Sequence, residues 1–429
     1  MGPRIVCLDL DCFFVSVERL LDPSLEGKQV VVGAAPGKRG VVTAVSYEAR
    51  PLGVRSGMAI SEAVRLAPDA VYLPPRHGVY SPYAKRVRTV LERFTPDVQT
   101  ASIDEFFLDF RGTERLWHRP GDVDADATVL RVVWAMREAI QAEVGLPASA
   151  GLGTNRKIAK MASNVAKPAG VFMVGAGEEA AFLAPRPVRS FPGIGPATEA
   201  RLQEAGVRTL GELLSRSDLR GRRVAESVRR ASSGAREEGL GRDRPAFFEH
   251  DPKGETVGSI SNERTFHADV GDRARVEAQL RALAERVCWR ARKRGVRART
   301  ITVKVRTSDF HTVQRSRSGE ATAGEREVFR VVLELLPRAW VHRRPVRLVG
   351  VQLSNFEGPG PQLALPLPSG RASIGTALDA VRARFGYDAV RLGAVGRSRW
   401  QGEGSTPGEA AGPPSDGAGV SARRDRRSR

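Results

Sequence analysis

Short apolar runs set off by polar punctuation organise the first part of the chain. Ile5 to Leu10 reads as a buried strand, and Val15, Val17, Leu20 and Leu21 give one apolar face to a helix that stops by Pro23. Val30 to Gly33 and Gly40 to Val45 look like paired strands joined by a Gly/Pro/Lys turn, with a helix from Ser61 to Leu66 after them. Tyr80 to Phe94 and Val129 to Val144 carry helical spacing, while Ser102 to Asp109 reads as a hairpin strand. Ala148 to Gly153 is a strand leading toward Lys157-Ile158-Ala159-Lys160. The order is βαββαβ-like, with Phe13 to Pro74 inserted after the first strand. It predicts an antiparallel or mixed sheet with helices on one face.

Further along, Phe191-Pro192-Gly193-Ile194-Gly195-Pro196 puts a Gly-x-Gly turn between two short helices, with Leu202, Gly206, Val207, Leu210 and Leu213 in hairpin register behind it. Glycine lets backbone approach a phosphate closely, and the following helix start offers free N–H donors. The pattern is a helix-hairpin-helix, which grips a DNA backbone without reading bases. Residues 236–253 are polar and basic with little periodicity and read as a linker. Val276, Leu280, Leu283 and Val287 then share one face of a helix from Arg273 to Arg294. Thr300 to Thr307 alternates, so Ile301, Val303 and Val305 face a core while Thr302, Lys304 and Arg306 form a basic row on an open sheet face. Val346 to Asn355 is another strand, Ser373 to Phe385 a helix, and the Gly/Pro/Ser/Ala-rich stretch from Gly402 is expected to be disordered.

Chemistry enters with two acidic clusters inside the apolar runs, Asp9-Leu10-Asp11 and Asp104-Glu105 through Asp109. Carboxylates among Ile, Val, Leu and Phe cost several kcal/mol unless compensated, and a divalent cation is the commonest compensation for a cluster of them. The clusters are therefore read as a metal site. Adjacent residues of a regular strand point to opposite faces, so Asp104 and Glu105 converge only at a strand end or a distorted turn. Asp11 is read as a helix-start residue in preference to a ligand.

Composition narrows the partners. The 429 residues suit roughly three domains. A net charge of +19 points to a polyanion, with nucleic acid the leading candidate. Three cysteines and six scattered histidines lack paired or zinc-ligand spacing, which argues against structural disulfides and zinc. No apolar stretch has the length of a membrane span and the start lacks a signal-peptide layout, so the expected location is the cytoplasm, in association with the nucleoid when on DNA.

Taken together, Asp9-Leu-Asp-Cys-Phe-Phe, Ser46-Tyr47-Glu48-Ala49-Arg50, Ser102-Ile-Asp-Glu, Ala166-Lys167-Pro168 and the Gly193 hairpin resemble, in order and spacing, the Y-family DNA polymerases of bacteria, over about residues 4–355. The resemblance implies an α+β multidomain right hand: a ferredoxin-like palm (1–12 and 75–168), small fingers (13–74), a helical thumb with the helix-hairpin-helix (169–235), the linker, an α+β little finger (254–355) and a tail (356–429). It implies low-fidelity, template-directed synthesis past damaged bases, without proofreading, by two-metal nucleotidyl transfer with magnesium. Its site residues would be Asp9, Asp104 and Glu105 for the metals, Phe14 as a steric gate against ribonucleotides, and Tyr47, Arg50 and Lys167 for the triphosphate. Gly193, Gly195, Lys304 and Arg306 would contact DNA backbone.

Gln362-Leu363-Ala364-Leu365-Pro366-Leu367 resembles the peptide by which bacterial polymerases dock on a sliding clamp, with Gln362, Leu363, Leu365 and Leu367 as anchors. The partners implied are primer-template DNA, deoxynucleoside triphosphates and the clamp, for a protein acting as a monomer. Ala44 and Ser46, Arg156, and Phe106-Phe107 depart from the residues common in the family, but none is a metal ligand. The alternatives fit less well. A non-catalytic accessory relative, bound to DNA or the clamp, is expected to lack the metal acids, and a helix-hairpin-helix repair binder or nuclease has no use for Phe14 or the Tyr47/Arg50/Lys167 set.

Overall fold

The computed structural model describes residues 2, 4–219, 223–234, 258–341, 344–357 and 374–391. The expected linker (236–253), clamp peptide (362–367) and polar stretch from Gly402 lie outside the described residues.

The chain begins with β1 (Ile5–Leu10) and turns into α1 (Phe13–Leu21). β2 (Val30–Gly33), β3 (Val42–Val45), α2 (Ile60–Leu66) and β4 (Val71–Leu73) then build a small three-stranded sheet of order β3-β2-β4. α3 (His77–Leu91) leads back to β5 (Val98–Thr100) and β6 (Glu105–Asp109). After α4 (Glu114–Trp117) and α5 (Ala125–Val144) come β7 (Ala148–Gly153), α6 (Arg156–Ala166) and β8 (Val171–Met173). The five-stranded sheet runs β5-β6-β1-β7-β8, with β1 central and antiparallel to both neighbours. It is mixed, because β8 joins β7 in parallel.

Helices cover both faces of this sheet, which corrects the expectation of one. Val6, Leu8, Leu10, Phe106 and Leu108 pack against α3 and α5 through Val87, Leu91, Met136 and Ile140. On the other face Ile5, Cys7 and Phe107 meet Ala159 of α6. The second layer depends on Gly151: a Cβ there would lie 2.0 Å from the Ser163 amide nitrogen and 2.3 Å from the Ala159 carbonyl oxygen, so only glycine lets α6 come this close. Helix ends follow local chemistry. Asp124 caps α5 by accepting from Ala127 N at 2.7 Å, and Asn155 caps α6 by accepting from Lys157 N and Ile158 N.

A helical unit follows, of α7 (Glu179–Leu183), α8 (Pro196–Glu204), α9 (Leu210–Ser215) and α10 (Arg223–Ser232) around Leu183, Phe191, Ile194, Leu210 and Val228. The last unit contains β9 (Ser259–Val270), α11 (Arg273–Lys293), β10 (Arg297–Thr307), β11 (Thr312–Thr322), α12 (Glu325–Ala339) and β12 (Val346–Glu357). Its antiparallel sheet runs β11-β10-β12-β9, with both long helices on one face. Finally α13 (Ile374–Phe385) folds back on α11 through ion pairs of Arg382 with Glu285 and of Arg292 with Asp379.

Candidate active site

Strand register brings two of the acids, Asp9 and Glu105, together. Asp9 lies two residues beyond Cys7 on the α6 face of β1 and is paired directly with Glu105, the first residue of β6. Asp104 sits in the turn just before, where its carbonyl accepts from Leu10 N at 2.9 Å and its carboxylate takes the Ser102 hydroxyl. Asp104 and Glu105 thus flank a strand end, the arrangement that lets neighbours converge. Asp109 lies at the far end of β6, opposite Ile5, held by Arg111.

Two lysines compensate the buried charge. Lys160 Nζ lies 2.8 Å from Asp9 Oδ2 and 2.5 Å from Glu105 Oε2, and Lys167 Nζ 2.5 Å from Asp9 Oδ1. Burial disfavours the Lys160 ammonium, but Asp9 and Glu105 outweigh it and hold its pKa above the ordinary lysine value. Burial likewise pushes up the Cys7 thiol, which donates toward Glu105 Oε1 at 3.7 Å. Lys167 was anticipated as a triphosphate ligand; Lys160 was not singled out. Lys160 lies on α6 and Lys167 in the extended residue that ends it, and both reach the Asp9 carboxylate.

The triphosphate candidates are contiguous with the acids. Tyr47 Oη donates to Asp11 Oδ1 at 2.8 Å, the Arg50 guanidinium lies 4.3 Å from the Tyr47 ring centroid, and Arg50 Nη2 reaches Cys12 Sγ at 3.3 Å. Burial first, and Asp11 second, push the Tyr47 phenol well above its usual pKa, so it remains a donor. Asp11 is not a helix cap, which corrects the sequence reading. The residue before α1 is Cys12, at φ 46°, with no side-chain cap, and the Asp11 carboxylate is satisfied elsewhere.

Phe14, half-buried in the first turn of α1, stacks on Tyr80 at 4.1 Å with planes 15° apart and meets the edge of His77 at 5.7 Å. Phe13 is buried in the core. Tyr80 is fully buried and donates to Glu18 Oε1 at 2.7 Å, so the wall behind Phe14 is rigid.

The nucleic-acid candidates sit on the other units. Gly193 adopts φ 103° and Gly195 caps α8, and a Cβ on either would meet nothing within 4 Å, so this turn is open backbone. Lys304 and Arg306 lie on the open sheet face but are engaged there: Lys304 pairs with Glu263 at 2.8 Å across Gly350, and Arg306 donates to Thr312 Oγ1 at 2.8 Å.

The chain as a whole matches known proteins. The impB/mucB/samB family matches residues 8–164, its helix-hairpin-helix motif residues 176–207, and its C-terminal domain residues 257–365. DNA polymerase IV of Dehalococcoides mccartyi strain CBDB1 is 36% identical over 396 residues, covering 91% of this chain and 97% of that protein. The chain belongs to the Y family of DNA polymerases. Within that family, DNA polymerase IV of Caulobacter vibrioides is 36% identical over 402 residues (92% of this chain, 94% of that protein). A Y-family DNA polymerase chimera superposes with a TM-score of 0.69 at 24% identity, covering 83% of this chain and 100% of its own, which shows the shared Y-family fold.

The donor set suits a hard divalent cation, since Asp9, Asp104 and Glu105 offer only carboxylate oxygens. Among the described residues, no three such side chains converge as a ready-made cage. Asp9 and Glu105 instead turn to ammonium groups.

Proposed function

We propose that this DNA-directed DNA polymerase performs low-fidelity translesion synthesis by two-metal nucleotidyl transfer, without proofreading. The observation that carries the reading is the register pair Asp9–Glu105, with Asp104 at the same strand end, beside Lys160, Lys167, Tyr47 and Arg50. Two magnesium ions, held by Asp9, Asp104 and Glu105, would activate the primer 3′-hydroxyl and neutralise the triphosphate. Lys167 and Arg50 would bind the triphosphate, as point charge and as fork, with Tyr47 lining the same pocket beneath the Arg50 guanidinium. Because Lys160 and Lys167 pair with Asp9 and Glu105 in the free protein, they must release them as cations and nucleotide arrive.

Phe14 acts as the steric gate. Its ring backs onto the fully buried Tyr80 and cannot yield to a 2′-hydroxyl without disturbing that stack. The five-stranded sheet unit serves as palm, residues 13–74 as fingers, 169–235 as thumb and 254–355 as little finger. The fingers contribute a three-stranded sheet with two short helices, α1 of nine residues and α2 of seven, so they check base-pair shape weakly, which suits copying of damaged templates. Gly193 and Gly195 would hold DNA backbone, and Lys304 and Arg306 would join on release from Glu263 and Thr312. Gln362 to Leu367 would tether the monomeric enzyme to the sliding clamp. Among the described residues no helix is long and apolar enough to cross a membrane, and the proposed site of action is the cytoplasm, on the nucleoid.

The test is extension of a labelled primer on a DNA template with magnesium and deoxynucleotides, beside Asp104→Ala. Magnesium-dependent extension lost in the variant supports the reading. DNA binding without extension by the wild-type chain would move it to the accessory class.

A further inference from the structure

Asp11 is among the most deeply buried acids of the described chain, with 1% of its surface exposed, and the chemistry above leaves it without a task. Its carboxylate is the meeting point of three segments. Oδ1 accepts from Tyr47 Oη at 2.8 Å, while Oδ2 accepts from Ser149 Oγ and from the Ala169 amide, both at 2.8 Å. Its main chain is fixed as well: the amide donates to Pro147 O at 3.0 Å and the carbonyl accepts from Ser16 Oγ at 2.6 Å.

The segments joined are those that carry the triphosphate candidates. Tyr47 lies on the turn after β3 and supports Arg50 on its ring face. Ala169 follows Lys167 by two residues, so the bond to its amide sets the turn from which Lys167 reaches Asp9. Ser149 belongs to β7 and is paired with Asp9, which ties the junction to the strand bearing the acids. Since α1 has no side-chain cap, the carboxylate is spent entirely on this junction.

We propose that Asp11 is a positioning residue for the nucleotide: it locks Tyr47 and the Lys167 turn into one preformed triphosphate pocket spanning the small sheet and the large one. This rests on the triphosphate reading of Tyr47, Arg50 and Lys167. A carboxylate suits the donor count. Three donors converge on two oxygens, whereas an amide with its oxygen kept on Ser149 and Ala169 would turn its NH2 toward Tyr47 Oη, reversing that bond and giving up the charge that strengthens all three. With the pocket locked beforehand, nucleotide binding does not have to order it.

The experiment is steady-state primer extension by the full chain with Asp11→Asn, Tyr47→Phe and the double variant, with primer-template affinity and thermal melting measured on each. Asp11→Asn is expected to raise KM about tenfold for all four deoxynucleotides, with kcat within about threefold and the preference for matched over mismatched nucleotides unchanged, the signature of lost uniform binding. DNA affinity should stay as in the wild type. Tyr47→Phe should raise KM by a smaller factor, and adding it to Asp11→Asn should change nothing further.

An unchanged KM in Asp11→Asn, or KM, kcat, DNA affinity and melting all worsening together, would overturn the proposal, as would independent effects of the two substitutions. If Asp11→Asn does not fold, Tyr47→Phe decides alone, and an unaltered KM there refutes it. Absence of extension by the wild-type chain in the same assay would sink the triphosphate reading and this proposal together, whereas wild-type extension with an insensitive Asp11 sinks only the proposal.

Discussion

Replacing Lys160 with methionine tests whether the acids of the site are held by ammonium groups in the absence of metal. The change keeps length and shape while removing the charge that lies 2.8 Å from Asp9 and 2.5 Å from Glu105. Removing one partner of a buried ion pair costs about 3–5 kcal/mol. Here the lysine keeps 23% of its side chain exposed and the two acids 8% and 18%, so water screens part of the loss and about 2–3 kcal/mol is a reasonable expectation. Because the chain has several units, the local measure is hydrogen exchange at β1 and β6 in EDTA, where that loss corresponds to exchange faster by about 30- to 140-fold. A divalent cation restores the missing charge, so magnesium should rescue the variant and gain little in the wild type. Titration calorimetry should find magnesium bound more tightly by the variant, by about 5- to 12-fold if half the lost compensation is recovered. A sodium control at equal ionic strength separates site occupancy from screening. Unchanged exchange in EDTA, or weaker magnesium binding by the variant, would refute the view that ammonium and metal compete for the same carboxylates.

Phe14→Ala should admit ribonucleotides in primer extension, and a preference for deoxynucleotides equal to that of the wild type would remove the steric-gate assignment. Deleting residues 362–367 should leave basal synthesis intact and abolish stimulation by the sliding clamp; retained stimulation would count against the docking peptide. Arg382→Met removes the ion pair to Glu285, which is 2% exposed, and should weaken the packing of α13 on α11 by about 3–5 kcal/mol, read as loss of exchange protection in both helices.

Legibility followed how strongly each segment's side chains depend on distant ones. β1, α1 and the alternation of β10 were readable because each has a complete apolar face of its own. α5 was expected from Val129 and begins at Ala125, since the polar first turn set by Asp124 has no apolar period to reveal it. The Tyr80 to Phe94 helix begins earlier, at His77, and ends at Leu91, leaving Phe94 to stack on Trp117 at 5.6 Å. β9 and β11 were missed altogether. They are the edge strands of the last sheet, and β11 is exposed from Gln314 through to Glu320, so Thr-Val-Gln-Arg-Ser-Arg-Ser carries no alternation to detect. The expectation of helices on one face left out α6, whose close approach to the sheet depends on Gly151, a residue with no side chain to signal it.

The site shows the same division between charge that can be read and charge that must be paired in space. Asp9, Asp104 and Glu105 stood out because carboxylates inside apolar runs demand compensation, but the identity of the compensating group depends on α6, more than 50 residues beyond Glu105 in sequence. Asp11 was misassigned for a related reason: Ser149 and Ala169, which satisfy it, are invisible to a reading of its neighbours. The basic surplus needs the same correction. A net charge of +19 suggests a surface ready for phosphate, yet Lys304 is already matched to Glu263 and Arg306 to Thr312. A phosphate that takes Lys304 must first displace a carboxylate 2.8 Å away, so its gain is the difference between two ion pairs rather than the whole of one. Positive charge read from sequence therefore overstates what this sheet face would offer a duplex, and the turn at Gly193 and Gly195, where a Cβ would meet nothing within 4 Å, would be the better-prepared contact.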